Sequence, residues 1–523
     1  MASQPLLMTN DEIHGVSPVD LQPLPPVKRT TPDELAAAVR RARAAQKGWE
    51  ALGFEKRAKL LKAAARVMLE RRAEAIDIIH REAGKSFAQA AMTEAIGPLD
   101  YLKNWIGVVR PFVKRKKMPI SPLAFPGKKG WVDMVPRGVV ALIAPWNYPI
   151  ATYFKPLFPA LLTGNTVVVK PSEYTPRGGI WFQKILNEFL PPGVCEVVIG
   201  GRETGQALLE SGGIDAVVFT GSSASGRKVL EVCAKQMIPC NVELGGKDAA
   251  IVLADCDLER TIAGVVQWGF QNAGQDCGAI ERVYVVDAIA DKFVDGLAAA
   301  TSRLRVGGRG GDYDVGPLSM PRQLEIVEEH VADALAKGAK LRCGGKRTGE
   351  GFWFQPTVLD HCTQQMKAVA EETFGPVVPV IRVKNAEEAI VKTNDNAFGL
   401  NASIWSEDRA AAVELGKRLE VGTVFVNNHA ITGAMAFAPW TGVKESGYGI
   451  ATGTHSLIFF TRPKTTVVDK GSSPDPWWLP MDATMVDVGE RLALAQLGKL
   501  TAALKIPLLM RKRVAAILKL VRG

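Results

Sequence analysis

Between residues 139 and 219 the chain carries four short, almost uninterrupted apolar runs: Val139-Val140-Ala141-Leu142-Ile143, Thr166-Val167-Val168-Val169, Cys195-Glu196-Val197-Val198-Ile199 and Ala216-Val217-Val218-Phe219. Each is separated from the next by enough residues for a helix. A strand with one wetted face alternates apolar and polar side chains; these do not, so both faces of their sheet must be covered. Helices laid on both faces make a parallel, doubly wound α/β sheet. After Gly246 the alternation resumes with Ala249-Ala250-Ile251-Val252-Leu253, Arg282-Val283-Tyr284-Val285-Val286 and Val377-Val378-Pro379-Val380-Ile381, a second layer of the same kind. Pro379 lacks the N–H that a ladder uses, which makes the last run the weakest strand of the set.

A chain of 523 residues is too long for one core and implies about two to four domains. Residues 1–30 contain Pro5, Pro18, Pro23, Pro25 and Pro26 without helical periodicity and read as a surface arm. Thr31-Pro32-Asp33-Glu34 supplies an N-cap, a first-turn proline and first-turn acids, and opens a helix. Two long amphipathic helices are expected over 55–83 and 87–109, the first stopped by Gly84. Residues 118–135 pass from Pro119, Pro122, Pro126 and Gly127 into Trp131-Val132-Asp133-Met134-Val135, the flexible start and extended end of a projecting hairpin.

Chemistry concentrates in two stretches about thirty residues apart, Val242-Glu243-Leu244-Gly245-Gly246-Lys247 and Phe270-Gln271-Asn272-Ala273-Gly274-Gln275-Asp276-Cys277-Gly278. A cysteine among small and polar residues, with a carboxylate upstream, suggests a thiol nucleophile served by a base. Alone, Cys277 would read as a small core residue, as most free cysteines do. Together the stretches resemble the double signature of the aldehyde dehydrogenase superfamily, and further motifs extend the likeness from about residue 30 to about residue 470.

The resemblance implies that Cys277 attacks an aldehyde, that hydride passes to a nicotinamide, and that Glu243 activates water to hydrolyse the thioester. Ala144-Pro145-Trp146-Asn147-Tyr148-Pro149 is similar to the family loop whose asparagine, with the nucleophile's backbone N–H, forms the oxyanion hole. That assigns Asn147 a contribution of ~3–4 kcal/mol to the developing alkoxide; taken alone it reads as a turn residue. Trp146 belongs to the same loop, and Lys155 follows Asn147 by eight residues as in the family. In Lys170-Pro171-Ser172-Glu173 the likeness gives Lys170, Ser172 and Glu173 to the cofactor's adenosine side, where an acid at 173 repels a 2′-phosphate and favours NAD over NADP. Phe219-Thr220-Gly221-Ser222 and the helix after it suit a pyrophosphate, bringing in Gly221 and Ser222, with Gly245 nearby. Glu372 and Phe374, in Glu371-Glu372-Thr373-Phe374-Gly375-Pro376, match the residues that hold the nicotinamide ribose and contact its ring. Asn427 matches the asparagine that closes a strand beside the substrate tunnel. The chain departs from the pattern at Ala224, where an acid is common, and at Ile450-Ala451, where many members carry Arg-Glu. Ala451 cannot help Lys155 pass protons from the general base, as that glutamate is thought to do.

Seven scattered cysteines without CxxC spacing read as reduced thiols of a cytoplasmic protein, and six histidines without HxH or HExxH spacing predict no metal. The net charge of +10 raises nucleic acid or membrane as partners. Lys114-Arg115-Lys116-Lys117 has no interleaved aromatics and reads as a solvated run, so no nucleic acid is expected. Beyond 470, Pro474-Asp475-Pro476-Trp477-Trp478-Leu479-Pro480 leads to a tail with eight basic residues and no acid from Arg491 on, and a leucine stripe broken near Pro507. It has no apolar run of the ~20 residues that spanning needs. Two readings of 485–523 stand: it lies on the anionic inner face of a membrane, or it packs on a subunit.

The chain thus reads as two doubly wound, Rossmann-like domains with a small β hairpin and a helical C-terminal extension. The arm is 1–30, the cofactor-binding domain 31–117 and 136–244 with 440–454 returning to it, the oligomerisation segment 118–135 and 455–470, the catalytic domain 245–439, and the extension 471–523. The resemblance implies oxidation of a small-molecule aldehyde with NAD, less readily NADP, in a homodimer or homotetramer. A membrane-facing tail fits a long-chain or apolar aldehyde; a succinate-semialdehyde dehydrogenase is the alternative. From another class, a non-catalytic membrane scaffold would keep the fold, and the intact Cys277, Glu243 and Asn147 argue against it.

Overall fold

The computed structural model describes residues 6–307 and 309–522. The chain divides into two compact units, one of residues up to 112 together with 136–461, the other of 113–135 together with 462 onward. The sequence boundary at 117 therefore falls at 112, and 455–461 stays with the larger unit because helix Gly453–Phe460 buries Leu457 and Phe460 there.

The larger unit is built on two sheets. In the first, Cys195–Val197, Thr166–Lys170, Val139–Ile143, Ala216–Thr220 and Cys240–Glu243 lie side by side and parallel, closed by an antiparallel Gly447–Tyr448 beside Glu243. Every side chain of Thr166–Lys170 is buried, as covering of both faces requires. Sequence order reverses between Val139–Ile143 and Ala216–Thr220, and a crevice at such a reversal, outside the carboxyl ends, is where this architecture holds ligands. In the second sheet Thr357–Asp360, Val377–Val383, Ile280–Val286, Asp248–Val252, Asn401–Trp405 and Thr423–Val426 run parallel, with Lys340–Cys343 antiparallel at one edge. Pro379 sits inside this sheet. It opposes Leu359 on one side, and on the other the pairing begins only at Val380, so the missing N–H falls at the start of that ladder.

The helices ahead of the first sheet depart from the expected pair. Helix Pro32–Ala51 has the Thr31/Glu34 capping box, and the next stretch is two helices, Gly53–Glu70 and Arg72–Ala83. They break at Arg71, whose guanidinium forks onto Glu188, while Arg72 donates to the Leu69 carbonyl. The span expected at 87–109 is short helix Phe87–Ala90, a wide π-type turn over Ala91–Ile96, and helix Asp100–Phe112. Pro98 cannot continue the hydrogen-bond ladder there. The arm is likewise not featureless: Leu6–Met8, Glu12–Gly15 and Val27–Lys28 form a small antiparallel sheet that buries Ile13 and Val27. Residues 1–5 lie outside the described residues.

In the smaller unit, strands Lys116–Lys117, Lys128–Pro136 and Thr461–Asp469 form one sheet. Helices Ala483–Gln496 and Ile506–Arg522 pack around Val488, Ile506 and Met510. Pro507 opens the second helix at a position where its missing N–H costs nothing; the leucine stripe turns a corner there. Arg513 is buried and donates to the carbonyls of Pro476 and Trp478 and, at 2.7 Å, to Asp482. Among the described residues no helix is long and apolar enough to cross a membrane.

Gly84 ends its helix with φ +76°, and a Cβ there would stand 2.7 Å from Pro317 Cγ. Gly84→Ala is expected to cost about 1–3 kcal/mol, read as an earlier midpoint in urea or thermal unfolding.

Candidate active site

The two signature stretches meet because the chain leaves the first sheet at Glu243 and enters the second at Asp248, and the four residues between them cross against the Cys277 loop. A Cβ on Gly246 would collide with the Cys277 carbonyl oxygen, so only glycine permits the approach. Loop 275–279 is stitched to the first sheet's loop as well: the Asn147 amide donates to the Gln275 carbonyl at 3.0 Å, and Asn272 donates to the carbonyls of Asn147 and Gln275 at 3.1 and 2.9 Å.

A cavity of about 580 Å³ opens at this junction. Cys277, Glu243, Asn147 and Lys155 all line it, and so do Trp146, Gly221, Ser222, Gly245, Glu372 and Phe374. Trp146 and Phe374 stand edge to face, 5.4 Å between ring centres. Ser222 caps helix Ser223–Gln236. Glu372 accepts from the Gly246 N–H at 3.0 Å, and burial, with Glu281 beside it, raises its carboxyl above the ordinary range. Lys170, Ser172 and Glu173 do not line the cavity; they follow the neighbouring strand, where Lys170 and Glu173 pair at 3.3 Å. Asn427 lies off it too: its amide brackets Ser406, accepting from the backbone N–H and donating to the carbonyl, which braces a turn of the second sheet. Ala451 is on the wall.

Burial governs the electrostatics. Neither oxygen of the Glu243 carboxylate has a hydrogen-bond partner, and desolvation pushes its pKa up to about 8 despite the nearby Lys155 ammonium and Trp440 indole. Burial also pushes the Cys277 thiol well up, Asp276 adds to the rise, and Lys155 opposes it. Burial alone would lower Lys155, yet Tyr101, Cys277, Asp276 and Glu243 around it raise it above the ordinary lysine range. The carboxyl is thus poised to take a proton near neutrality and the ammonium to keep one.

Several wall residues had no sequence signal of their own. Tyr101 donates to the Gly433 carbonyl, Trp440 lies under the Lys155 ammonium at 5.0 Å, and Tyr148 donates to Asp276 at 2.7 Å. Tyr148 and Trp440 sit inside motifs that name their neighbours; Tyr101 arrives only because the π-type turn ahead of its helix sets that helix against the cavity.

Known proteins share this fold and about a third of the sequence that builds it. The sequence model of the Aldehyde dehydrogenase family matches residues 7–466. The chain is 36% identical over 474 residues to the 4,4'-diapolycopene aldehyde oxidase of Methylomonas sp, covering 90% of this chain and 89% of that one. To the NADP(+) succinate-semialdehyde dehydrogenase GabD of Escherichia coli (strain K12) it is 35% identical, covering 84% and 90%. A Mycobacterium tuberculosis aldehyde dehydrogenase crystallised with NAD+ superposes with a TM-score of 0.84 at 32% identity, covering 89% and 96%. The chain belongs to the aldehyde dehydrogenase family. It is an oxidoreductase of the class that uses NAD or NADP.

A carboxyl raised from 4.5 to about 8 keeps its proton in the folded state over a range where the unfolded chain loses it, so its contribution to stability falls as pH rises through that window. Glu243→Gln is expected to melt close to the wild type at pH 5 and above it at pH 9, while aldehyde oxidation falls ~10²–10⁴-fold. Melting curves at the two pH values with NADH production measured in parallel check both.

Proposed function

We propose that the protein oxidises a long-chain or otherwise apolar aldehyde to its carboxylic acid with NAD. The observation that carries the substrate class is the make-up of the wall: among the described residues Lys155 is the only basic side chain lining the cavity, and it is already surrounded by Glu243, Asp276 and Cys277. A carboxylate-bearing substrate such as succinate semialdehyde would need a cation of its own. Met92, Pro98, Trp268 and Ile431 offer apolar surface instead. The likeness to a relative named for diapolycopene aldehyde supports the same class.

In this reading Cys277 passes its thiol proton by way of Glu243 to solvent as Sγ adds to the carbonyl carbon, and the Asn147 amide with the Cys277 N–H receives the developing negative oxygen. A nicotinamide cofactor, when bound, accepts the hydride. Trp146, Gly245, Glu372 and Phe374 would hold its nicotinamide side, Gly221 and Ser222 its pyrophosphate at a helix start, and Lys170, Ser172 and Glu173 its adenosine ribose. The fit rests on Gly221 and Ser222 lining the cavity where a helix begins and on a carboxylate at 173 suited to ribose hydroxyls. Glu243 then takes a proton from water as it attacks the thioester, and Cys277 leaves as thiolate. With Ala451 on the wall, Glu243 loses its proton to solvent and not to a glutamate. Residues 31–112 and 136–244 act as the cofactor-binding domain and 245–439 as the catalytic domain.

Residues 113–135 and 462–470 serve a homodimer or homotetramer; strand Thr461–Asp469 is exposed along almost its whole length, as an edge awaiting a second copy would be. The enzyme works in the cytoplasm, at the inner face of a membrane. Leu497, Leu500, Leu504 and Leu508 stand exposed beside Lys499, Lys505, Arg511 and Lys512, the composition of a surface that lies on anionic lipid.

NADH and NADPH formation measured over straight-chain aldehydes of increasing length, with succinate semialdehyde alongside, tests the first part. kcat/KM is expected to climb with chain length, by up to tenfold for each ~1.4 kcal/mol that further burial of the apolar chain supplies, and to favour NAD; a maximum on succinate semialdehyde would sink the apolar reading. For the second part, the full chain is expected to sediment with vesicles containing phosphatidylserine at low salt and to stay in solution when residues 485–523 are removed.

A further inference from the structure

Asp276 immediately precedes the nucleophile, and neither of the roles assigned above employs it. Its carboxylate faces two ways. Oδ1 accepts from the Gly278 N–H at 2.9 Å and lies 3.8 Å from Cys277 Sγ, within reach of a thiol donor; Oδ2 accepts from the Tyr148 hydroxyl at 2.7 Å. That hydroxyl in turn accepts from the Gln271 amide at 3.1 Å. Beneath the tyrosine, Lys85 Nζ sits 3.7 Å from the ring centre, fully buried, and pairs at 3.4 Å with Glu94. Glu94 is itself pinned by the N–H groups of Ile150 and Ala151 at 3.0 and 2.9 Å. A buried cation, an aromatic ring and an acid therefore form one chain of contacts that ends at the sulfur and is joined to the loop that carries Asn147.

We propose that Asp276 is a positioning residue for the reaction: its carboxylate, held by Tyr148 and Gly278, accepts the Cys277 S–H and keeps the resting nucleophile as an aimed thiol. The inference rests on Cys277 being the nucleophile, as read above. The charge balance around the sulfur agrees with it. Asp276 and, more weakly, Asp248 and Glu243 disfavour the thiolate, and Lys155 is the cation that opposes them. Around Asp276 the charged or titratable groups are Lys85, Lys155, Tyr101 and Tyr148. A thiol reacts slowly with stray electrophiles and oxidants, because the thiolate is the reactive form. The arrangement thus defers reactivity until a carbonyl lies against the sulfur and the oxyanion donors.

The test needs neither aldehyde nor cofactor, so its failure is separable from failure of the proposed oxidation, which the NADH assay reports. Alkylation of Cys277 by iodoacetamide, mapped by mass spectrometry on the full-length enzyme, is followed against pH. The wild type is expected to titrate above the ~8.5 of a free cysteine. Asp276→Asn, which keeps the shape and an acceptor for Gly278 but not the charge, is expected to move the midpoint down by about one unit and to speed alkylation at pH 7.5 about tenfold. Asp276→Ser serves the same purpose if the first variant does not fold, as judged by its melting curve. A wild-type midpoint at or below that of free cysteine, or an unchanged midpoint in a folded variant, overturns the proposal.

Discussion

Three loops of the active site converge on one buried ion pair. Lys247 and Glu281 meet at 2.6 Å with both side chains almost wholly out of solvent, and Glu281 also accepts from the backbone N–H groups of Thr373 and Phe374 at 2.7 and 2.8 Å. Lys247 donates besides to the Thr373 hydroxyl at 3.0 Å, and its own carbonyl accepts from Arg282 at 2.8 Å. The pair therefore fixes the crossing between the two sheets, the strand after the nucleophile, and the turn that presents Glu372 and Phe374. Such a pair contributes little net stability against an apolar replacement, but leaving either charge alone would cost ~3–5 kcal/mol. Its value lies in registry: three segments far apart in sequence have one relative placement that satisfies all the donors.

Given that placement, burial does the tuning. Glu243 has no hydrogen bond to stabilise its charge, so desolvation governs and the carboxyl rises to about 8. Lys155 shares the same dry space with Cys277 and moves oppositely to what burial alone would do to a cation, because it is ringed by groups that are or can become negative. A carboxyl that ionises near neutrality beside an ammonium that keeps its proton fits the thioester hydrolysis proposed above. One dry cavity supplies both properties.

How far these features were legible in the chain follows from their range. The strands were plain because both-face burial leaves an unbroken apolar run, and Gly84 because only a left-handed cap asks for glycine at that point. The break at Arg71 was not, since the apolar period runs through it and the partner that Arg71 meets there, Glu188, lies more than a hundred residues away. The small sheet within 6–28 hid among prolines for another reason: its strands are two to four residues long and are held by pairing, not by propensity. At the site, Cys277, Glu243 and Asn147 could be named from motifs, whereas Tyr101 and the Lys85–Tyr148–Asp276 stack exist only once the fold has joined their separate segments. Asn427, matched as the residue that closes a strand, does follow Thr423–Val426 and braces the turn there, but off the cavity.

The tail obeys a different logic. Its leucine stripe is too long for the core it serves: Val488, Ile506 and Met510 bury the inner face of the helical hairpin, and Arg513 ties the linker's carbonyls to the second helix, which leaves the residues near the corner at Pro507 with nothing of their own to cover. A hairpin selected only for its own packing would carry polar residues at 497, 500, 504 and 508, where leucine exposes apolar surface to water at a cost of up to ~1.5–3 kcal/mol each against burial. Four such residues clustered with lysines and arginines make an external apolar surface, and lipid is the counterpart proposed for it above. An apolar aldehyde partitions into the same phase, so an enzyme seated there would meet its substrate at a concentration that the aqueous solution cannot supply.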